Sequence, residues 1–436
     1  MLPILLAIVG MLLACFAVGF HVATTLGFTA LASASLFSAR PLWDILSYIP
    51  WNVLTTSSLV ALPLFVLMGE MLLRTGVTES MYIALSKWLG RVPGSLVHTN
   101  VVASGLFSCI SGSSAATAAT IGGVALPFMR SRGYDNRLTL GSIAAGGTLG
   151  ILIPPSIVMI VYGVLAEVSV GRLYLAGVVP GLIMLGAFMV VIFISVKLKP
   201  SRAPLEPLTS WREKVTCLAG LIPVLALIFL VLGTIYMGVA TASEAAAFGV
   251  TGSILIALLY RKLSFRMLQD SFLATANTTG MIMLILVGAF VLQFVVSFLG
   301  IPTAITQGVF ALELSPVQFI LIICALYLIL GMFMESLSMI VITVPILLPV
   351  MRSLGIDMMW FGIVAVILVE IALITPPVGL NLFILQNMSR DGDLAPTRSI
   401  DVMIGVIPFL AAMLLTLAVL IAFPQLVAWL PAYAMD

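Results

Sequence analysis

Charge is what this 436-residue chain has least of: 8% of its residues are Asp, Glu, Lys or Arg, where a soluble domain carries about 25%. So few charges cannot cover a water-facing surface. Histidine is nearly absent, with His21 and His98 alone, which leaves no histidine-built metal site. Cys15, Cys109, Cys217 and Cys324 lie in apolar surroundings without metal-ligand spacing, so they read as small buried hydrophobes, and redox chemistry is not supported. Nineteen basic against 17 acidic residues leave a net charge of +2, too balanced for a nucleic-acid binder. An enzyme is the weakest reading, because no paired acid and base, nucleophile arrangement or metal cluster emerges.

What is present is hydrocarbon. Hydrophobic residues make up 62% of the chain and the mean hydropathy is +1.25. Apolar segments of roughly 18 to 25 residues recur from end to end, each long enough for a bilayer, and no polar stretch is long enough to fold separately. Spans are expected at 1–20, 22–39, 53–73, 139–166, 173–196, 216–235, 243–260, 272–299, 358–388 and 403–423. The first has no basic n-region and reads as a transmembrane helix rather than a cleaved signal. Two further stretches, 95–129 and 316–350, are apolar at both ends and interrupted in the middle. Each is too long for one crossing and short for two, which suits a re-entrant hairpin, with two short spans as the alternative.

Basic loops set the orientation. Lys87 and Arg91, then Arg130, Arg132 and Arg137, then the run from Lys197 to Lys214, then Arg261, Lys262 and Arg266 should face the cytoplasm. The first hairpin then opens inward, the second outward, and both termini lie outside. The prolyl stretch around Pro204 and Pro207 is either a hinge between two halves or a plain cytoplasmic loop.

Comparing the chain with itself supplies the most specific signal. Pro127, Met129, Arg130, Ser131, Gly133 and Asp135 answer, 222 residues on, to Pro349, Met351, Arg352, Ser353, Gly355 and Asp357; Pro154 and Pro155 answer to Pro376 and Pro377 at the same offset. The order of span, hairpin, Pro-Pro span and plain span is kept, and the two copies start on opposite sides. The predicted architecture is therefore an all-α polytopic membrane protein with an inverted-repeat, ion-transporter-type fold and two re-entrant helical hairpins. Its parts are N-terminal scaffold helices over 1–52, a first repeat over 53–196, a linker with connecting helices over 197–271, a second repeat over 272–423 and a tail over 424–436. Inverted repeats with broken helices mark secondary transporters, whose binding site lies where the copies meet.

Adjacent prolines remove two donors and break a helix, and broken backbone survives in hydrocarbon only beside protein or a polar cavity. The segment from Gly146 through Thr148, Gly150, Pro154 and Ser156 thus reads as unwound chain with free carbonyls before the prolines and a new helix start after them; its counterpart holds Thr375, Gly379 and Asn381. Neutral oxygens suit a hard cation such as Na⁺, and half-helix N-termini suit a carboxylate. Hairpin tips follow the same logic. Ser111, Ser113, Ser114 and Thr117 crowd the centre of the first, where the neighbouring alanines equally serve as packing surface. Glu335 stands at the second tip, either coupling a cation or bonded to backbone at the turn. Candidate substrate contacts are Ser113, Ser114, Thr148, Ser156 and Asn381. Glu70 reads mainly as a scaffold residue, Glu244 as a cap partner, and Glu370 either as orienting the second break or as paired with a neighbouring span; Thr278 reads as an interhelical bond. Residues 85–91 and 303–313 look like interfacial helices carrying the hairpins.

The runs at 111–117, 127–130, 133–134, 150–157, 331–335 and 375–383 closely resemble those of the large membrane subunit of tripartite ATP-independent periplasmic (TRAP) transporters, the DctM-like permease. The resemblance covers essentially the whole chain. It implies an elevator in which a transport domain holding both hairpins slides against a scaffold, driven by Na⁺ as the coupling ion, with no organic cofactor. By the same resemblance Ser111, Ser113, Gly150 and Pro154 would lie around one Na⁺ site, and Glu335, Thr375 and Gly379 around another. It further implies a bacterial inner-membrane location and a small four-helix membrane subunit on a separate chain. A periplasmic substrate-binding protein would deliver an organic acid, such as a dicarboxylate or a sialic acid. The alternatives left standing are a Na⁺/divalent-anion symporter working without a binding protein and, further off, an ion channel.

Overall fold

The computed structural model describes residues 2–38, 42–332, 334–376, 379–390 and 398–435. Among these every regular element is a helix, as hydrocarbon demands of backbone that must pair with itself. α1 (Leu2–Ala17), α2 (Val22–Phe37), α3 (Trp43–Leu54) and α4 (Ala61–Leu73) lead into α5 (Val77–Leu89), α6 (Ser95–Ser111) and α7 (Ser114–Ser131). Then come α8 (Asn136–Thr148), α9 (Ile157–Ala166) and α10 (Val170–Leu198). The connecting region holds α11 (Trp211–Cys217), α12 (Ile222–Ile228), α13 (Thr234–Tyr236) and α14 (Ala242–Leu259). The second series runs α15 (Phe265–Phe298), α16 (Ile301–Ala311), α17 (Pro316–Leu330), α18 (Ser336–Ser353), α19 (Met358–Ile374), α20 (Leu380–Arg390) and α21 (Ser399–Ala422), and α22 (Gln425–Met435) closes the chain.

The sequence repeat is a structural one. α7 and α18, the second arms of the two hairpins, begin at Ser114 and Ser336 and end at Ser131 and Ser353. Each is followed by a left-handed glycine, Gly133 (φ 74) and Gly355 (φ 68), which turns the chain into the next helix. Asp135 and Asp357 then cap α8 and α19, accepting the Leu138 and Trp360 amides at 2.8 and 2.7 Å.

Two arginines show that the copies are inverted. Arg130, at the end of α7, donates to the Ser389 carbonyl at the end of α20 (3.1 Å), so α20 finishes on the side where the first hairpin opens. Arg352, at the end of α18, donates to the Ala166 carbonyl at the end of α9 (3.2 Å). Because α8 and α9 together cross from the first hairpin's side, α18 ends on the opposite side. Each arginine also supplies positive charge to the last carbonyls of the other repeat's broken helix, where the helix dipole favours it.

Packing sorts the helices into two groups. α15 lies along α2, α3 and α4, and α14 along α4. In the other group α8 packs on α6, α7 and α21, α18 on α9, α20 on α7, and α10 on α21 and α22. α8 and α21 cross closely: a Cβ at Gly141 would overlap the Gly405 carbonyl, and one at Gly405 would overlap the Arg137 carbonyl. Arg137 and Asp401 close the same crossing with a 2.8 Å ion pair. Small residues here let backbones touch. Gly405→Leu should therefore destabilise the fold by about 3 kcal/mol or more, read as a lower melting temperature of the purified protein; an unchanged value would mean the crossing is looser than described.

Several elements differ from the sequence expectation. The 53–73 span is the second limb of a bent unit that begins upstream, with a 51° bend between Leu46–Leu54 and Ser57–Leu73. Thr55 and Thr56 make that bend, their hydroxyls taking the Trp51 and Asn52 carbonyls at 2.8 and 2.9 Å. The 216–235 span is bent by 48° where Pro223 lacks its N–H. Residues 424–436 are not a plain tail, since α22 packs along α10. The helices that carry the hairpins are α5 and α16, the former beginning at Val77 rather than Leu85. Glu244 completes a capping box with Thr241.

The polar linker is tied down. Tyr134 donates to the Pro204 carbonyl (2.8 Å) and to Glu206 (3.1 Å), the Glu206 amide to the Gly90 carbonyl (3.1 Å), and Arg132 pairs with Glu206 at 3.3 Å. Burial pushes the Tyr134 phenol up to about 12, so it stays a protonated donor at physiological pH.

Candidate functional site

The site is built from two tips and two breaks. At the first tip, Gly112 adopts φ +57 and lets α6 stop and α7 restart at once; Ser113 caps α7 by accepting the Ala116 amide at 3.4 Å. Ser111 and Thr117 hydroxyls meet at 2.8 Å, and Thr117 also donates to the Ser113 carbonyl at 2.8 Å. Ser114 donates to the Gly147 carbonyl at 3.0 Å, pinning the tip to the first broken helix.

That broken helix pairs its amides through residue 153 with carbonyls three or four residues back, Ile153 bonding to Leu149 at 3.0 Å. Pro154 and Pro155 have no amide to offer, and among the described residues the carbonyls of 150–155 receive no backbone donor. Gly150 touches the tip directly: a Cβ there would stand 2.7 Å from the Ser113 carbonyl oxygen and 2.9 Å from the Thr117 hydroxyl. A Cβ at Gly112 would be 3.0 Å from the Pro155 carbonyl oxygen. Tip and break thus form one dense set of neutral oxygens.

In the second copy Glu335 is the N-cap of α18, accepting the Leu337 amide at 3.2 Å, the Ser336 hydroxyl at 3.4 Å and the Ser338 hydroxyl at 3.1 Å. The break follows α19; Thr375 turns its hydroxyl back to the Ile371 carbonyl (2.6 Å), and Gly379 takes φ +46 before α20. Phe333 of the tip and Pro377 of the break lie outside the described residues.

Between the tips is a cavity of about 230 Å³. Residues 111–116 and Glu335, Ser336 and Leu337 face it from the hairpins, Ile151, Ile157, Leu373 and Leu380 from the breaks, and Gly69, Glu70, Thr278 and Met281 from α4 and α15. It therefore lies at the junction of the two packing groups.

Of the residues expected to bind, Ser111, Ser113, Ser114 and Glu335 line this cavity. Gly150 stands behind the tip and Pro154 is buried in the same break. Three expected substrate contacts are not on the cavity wall. Thr148 donates back to the Ala145 carbonyl at 2.8 Å, Ser156 caps α9 through the Met159 amide at 3.3 Å, and Asn381 is fully buried, donating to the Ser114 hydroxyl (3.0 Å) and the Ala144 carbonyl (3.3 Å). Thr375 and Gly379 also lie off the wall. Asn381 instead ties the second repeat's broken helix to the first repeat's hairpin. Glu370 is fully buried, with neither oxygen bonded among the described residues. Glu70 pairs with Arg74 and Thr278 faces the cavity, so the scaffold side contributes polar groups as well.

A family model described as "Tripartite ATP-independent periplasmic transporter, DctM component" matches residues 9–426. The chain belongs to the DctM family. It is similar to the C4-dicarboxylate TRAP transporter large permease protein DctM of Pseudomonas aeruginosa, 40% identical over 75% of this chain and 76% of that one. It is 33% identical to the sialic acid TRAP transporter large permease protein SiaM of Vibrio cholerae, over 86% of each chain. Among solved structures it resembles the YdaH transporter of Alcanivorax borkumensis, with a TM-score of 0.62 at 17% identity over 88% of this chain and 89% of that one, a likeness of fold. DctM proteins are membrane components of transporters, not enzymes.

The DctM chain's oxygens fit an alkali cation: hydroxyls and carbonyls dominate the first tip and break, and no group of three His, Cys, Asp or Glu exists among the described residues. Replacing both Pro154 and Pro155 by Ala restores two amide donors to the free carbonyls. Uptake by this variant should fall by about tenfold or more, since each amide that closes the helix removes an oxygen; wild-type rates would show that the open carbonyls are dispensable.

Proposed function

We propose that this chain is the large transmembrane subunit of a Na⁺-coupled, binding-protein-dependent importer of an organic acid, acting in the bacterial inner membrane by an elevator motion. The observation that carries the reading is the cavity itself, bounded by the tips of both inverted hairpins on one side and by α4 and α15 on the other. A solute there is in contact with both packing groups, so sliding of one past the other would expose it to opposite sides in turn.

Na⁺ would be held by Ser111, Ser113, Gly150 and Pro154 in the first copy and by Glu335, Thr375 and Gly379 in the second; it would supply the positive charge that an acid needs. The hydroxyls of Ser113 and Ser114 and the half-helix start of α7 favour a carboxylate beside it. Relatives named for a C4-dicarboxylate and for sialic acid support an acid of that class. A cavity of about 230 Å³ equals the share of roughly eight waters, a size for the smaller of these. The basic loops favour a cytoplasmic position for the first hairpin's open side. A small four-helix membrane subunit and a periplasmic binding protein complete the assembly.

The test is reconstitution with a small subunit and a binding protein in liposomes, measuring labelled succinate and N-acetylneuraminate under an imposed Na⁺ gradient. Saturable uptake that collapses without the gradient and without the binding protein is expected. Uptake of neither acid, or uptake indifferent to Na⁺, overturns the proposal, and uptake without the binding protein would point to a two-component symporter instead.

A further inference from the structure

Among the described residues the cavity wall carries two carboxylates, Glu70 and Glu335, and no Lys or Arg. An organic acid entering it would meet like charge and need a cation from the protein. Most basic side chains near the core are engaged elsewhere: Arg352 on Ala166 and Glu167, Arg137 on Asp401. Arg74 is different. It follows cavity-lining Leu73 and closes α4, and its Nη1 donates to the Glu70 carbonyl at 2.8 Å and to Glu70 Oε2 at 2.5 Å. Its Nη2 and Nε meet no acceptor among the described residues, and its side chain is 32% exposed. A guanidinium offers five N–H donors in a planar fork matched to a carboxylate, and only one of its nitrogens is in use here.

We propose that Arg74 is the anchor for the carboxylate of the transported acid, held at the cavity by Glu70 until the acid arrives. This rests on the organic-acid reading above. The Glu70 pairing keeps the guanidinium from swinging away and screens its charge when the cavity is empty. The free Nη2–Nε edge then takes the acid in a bidentate, charge-assisted pair. Since α4 stands opposite the hairpin tips, an acid in the cavity would meet Ser113 and Ser114 on one side and would reach Arg74 past Leu73 and Glu70 on the other. Such an anchor selects acids over neutral solutes of the same size, a discrimination that hydroxyls alone do not make. The competing account is that Arg74 only caps the end of α4 and makes a local pair with a residue one turn away.

Kinetics separates the two accounts. In the reconstituted system with succinate and N-acetylneuraminate as probes, Arg74→Gln should raise KM by roughly tenfold or more, as loss of a charged hydrogen-bonding partner does, with the Na⁺ concentration for half-activation unchanged. Arg74→Lys keeps the charge without the fork and should fall between. Glu70→Gln frees the guanidinium and should lower KM several-fold, a shift that loss of a cap would not produce. Where a rate is too low to fit, the rise in melting temperature caused by the acid replaces KM. Equal KM values in wild type, Arg74→Gln and Glu70→Gln overturn the anchor while leaving the transport reading intact. If Arg74→Gln does not insert, an unshifted KM in Glu70→Gln overturns it. A wild type that takes up neither acid overturns the transport reading, and the anchor with it.

Discussion

Gly150→Ala is expected to lower Na⁺-driven uptake on the order of a hundredfold while the protein still reaches the membrane. One methyl group suffices because of what surrounds it. The new Cβ would lie 2.7 Å from the Ser113 carbonyl oxygen and 2.8 Å from its carbon. Neither is the far end of a flexible side chain. Backbone at a hairpin tip moves only with the whole tip, so the strain falls on the geometry of Ser111, Ser113 and Thr117 together. Overpacking of this kind costs roughly 1–3 kcal/mol, which spread over the tip displaces the oxygens proposed to hold Na⁺. The control is Gly123→Ala in the first hairpin, away from its tip. Its Cβ meets only the flexible Met388 side-chain end at 3.6 Å, and the substitution suits a helix. Near-normal uptake in Gly123→Ala and a collapse in Gly150→Ala, both at equal membrane levels, would place the effect in the tip–break contact. Equal uptake in both would mean that Gly150 is not packed against a working site.

The breaks and hairpins were legible in the sequence because each depends on residues whose backbone chemistry is nearly context-free. Pro154 and Pro155 withhold amides wherever they stand, and a repeat with a fixed offset needs no knowledge of packing. Asp135 and Asp357 sit at matched positions because each helix must begin with a cap. Hydroxyl direction was not legible. Thr148 and Ser156 flank the break as expected, yet one hydroxyl returns to the Ala145 carbonyl and the other to the Met159 amide. Short polar side chains have these local partners always within reach, and spacing does not say which partner wins. Asn381 stands off the cavity wall for a different reason. Its amide bridges Ser114 and Ala144, residues more than 200 positions away, and only the folded chain brings them together. The far wall of the cavity, with Glu70 and Thr278, escaped for the same cause. Polar groups on α4 and α15 read as interhelical bonds until the hairpin tips are set against them.

The two arginines of the repeat carry a related lesson. Arg130 and Arg352 were visible as matched residues and as topology signals, but their reciprocal hold on Ser389 and Ala166 was not. In physical terms each hairpin is fastened to the opposite repeat's broken helix, and Asn381 adds a third fastening at the centre. Together these bonds join both hairpins to both broken helices. The proposed elevator would need such links, because oxygens drawn from four segments keep a site only if they move together.

Glu335→Gln should raise the Na⁺ concentration for half-activation by about tenfold or more, with little change in stability. The two parts of that expectation separate the roles that Glu335 combines. As the N-cap of α18 it accepts the Leu337 amide at 3.2 Å and two serine hydroxyls. Gln keeps one acceptor oxygen in nearly the same place, so most of the cap survives. Ala removes it, at a cost of roughly 0.5–2 kcal/mol. What Gln does not keep is the charge. On the cavity wall a carboxylate favours a cation more than an amide does, and losing that preference would show in the Na⁺ dependence. The comparison of Gln with Ala is therefore decisive. If both variants lower the melting temperature equally and neither alters Na⁺ activation, Glu335 is a cap and nothing more. If Gln leaves the melting temperature near wild type and still weakens Na⁺ activation, its charge serves the ion. The first repeat offers the internal reference, since its tip is capped by Ser113, a neutral residue in the equivalent role. A site with one charged tip and one neutral tip distinguishes its two copies electrostatically, and Glu335→Gln makes them alike.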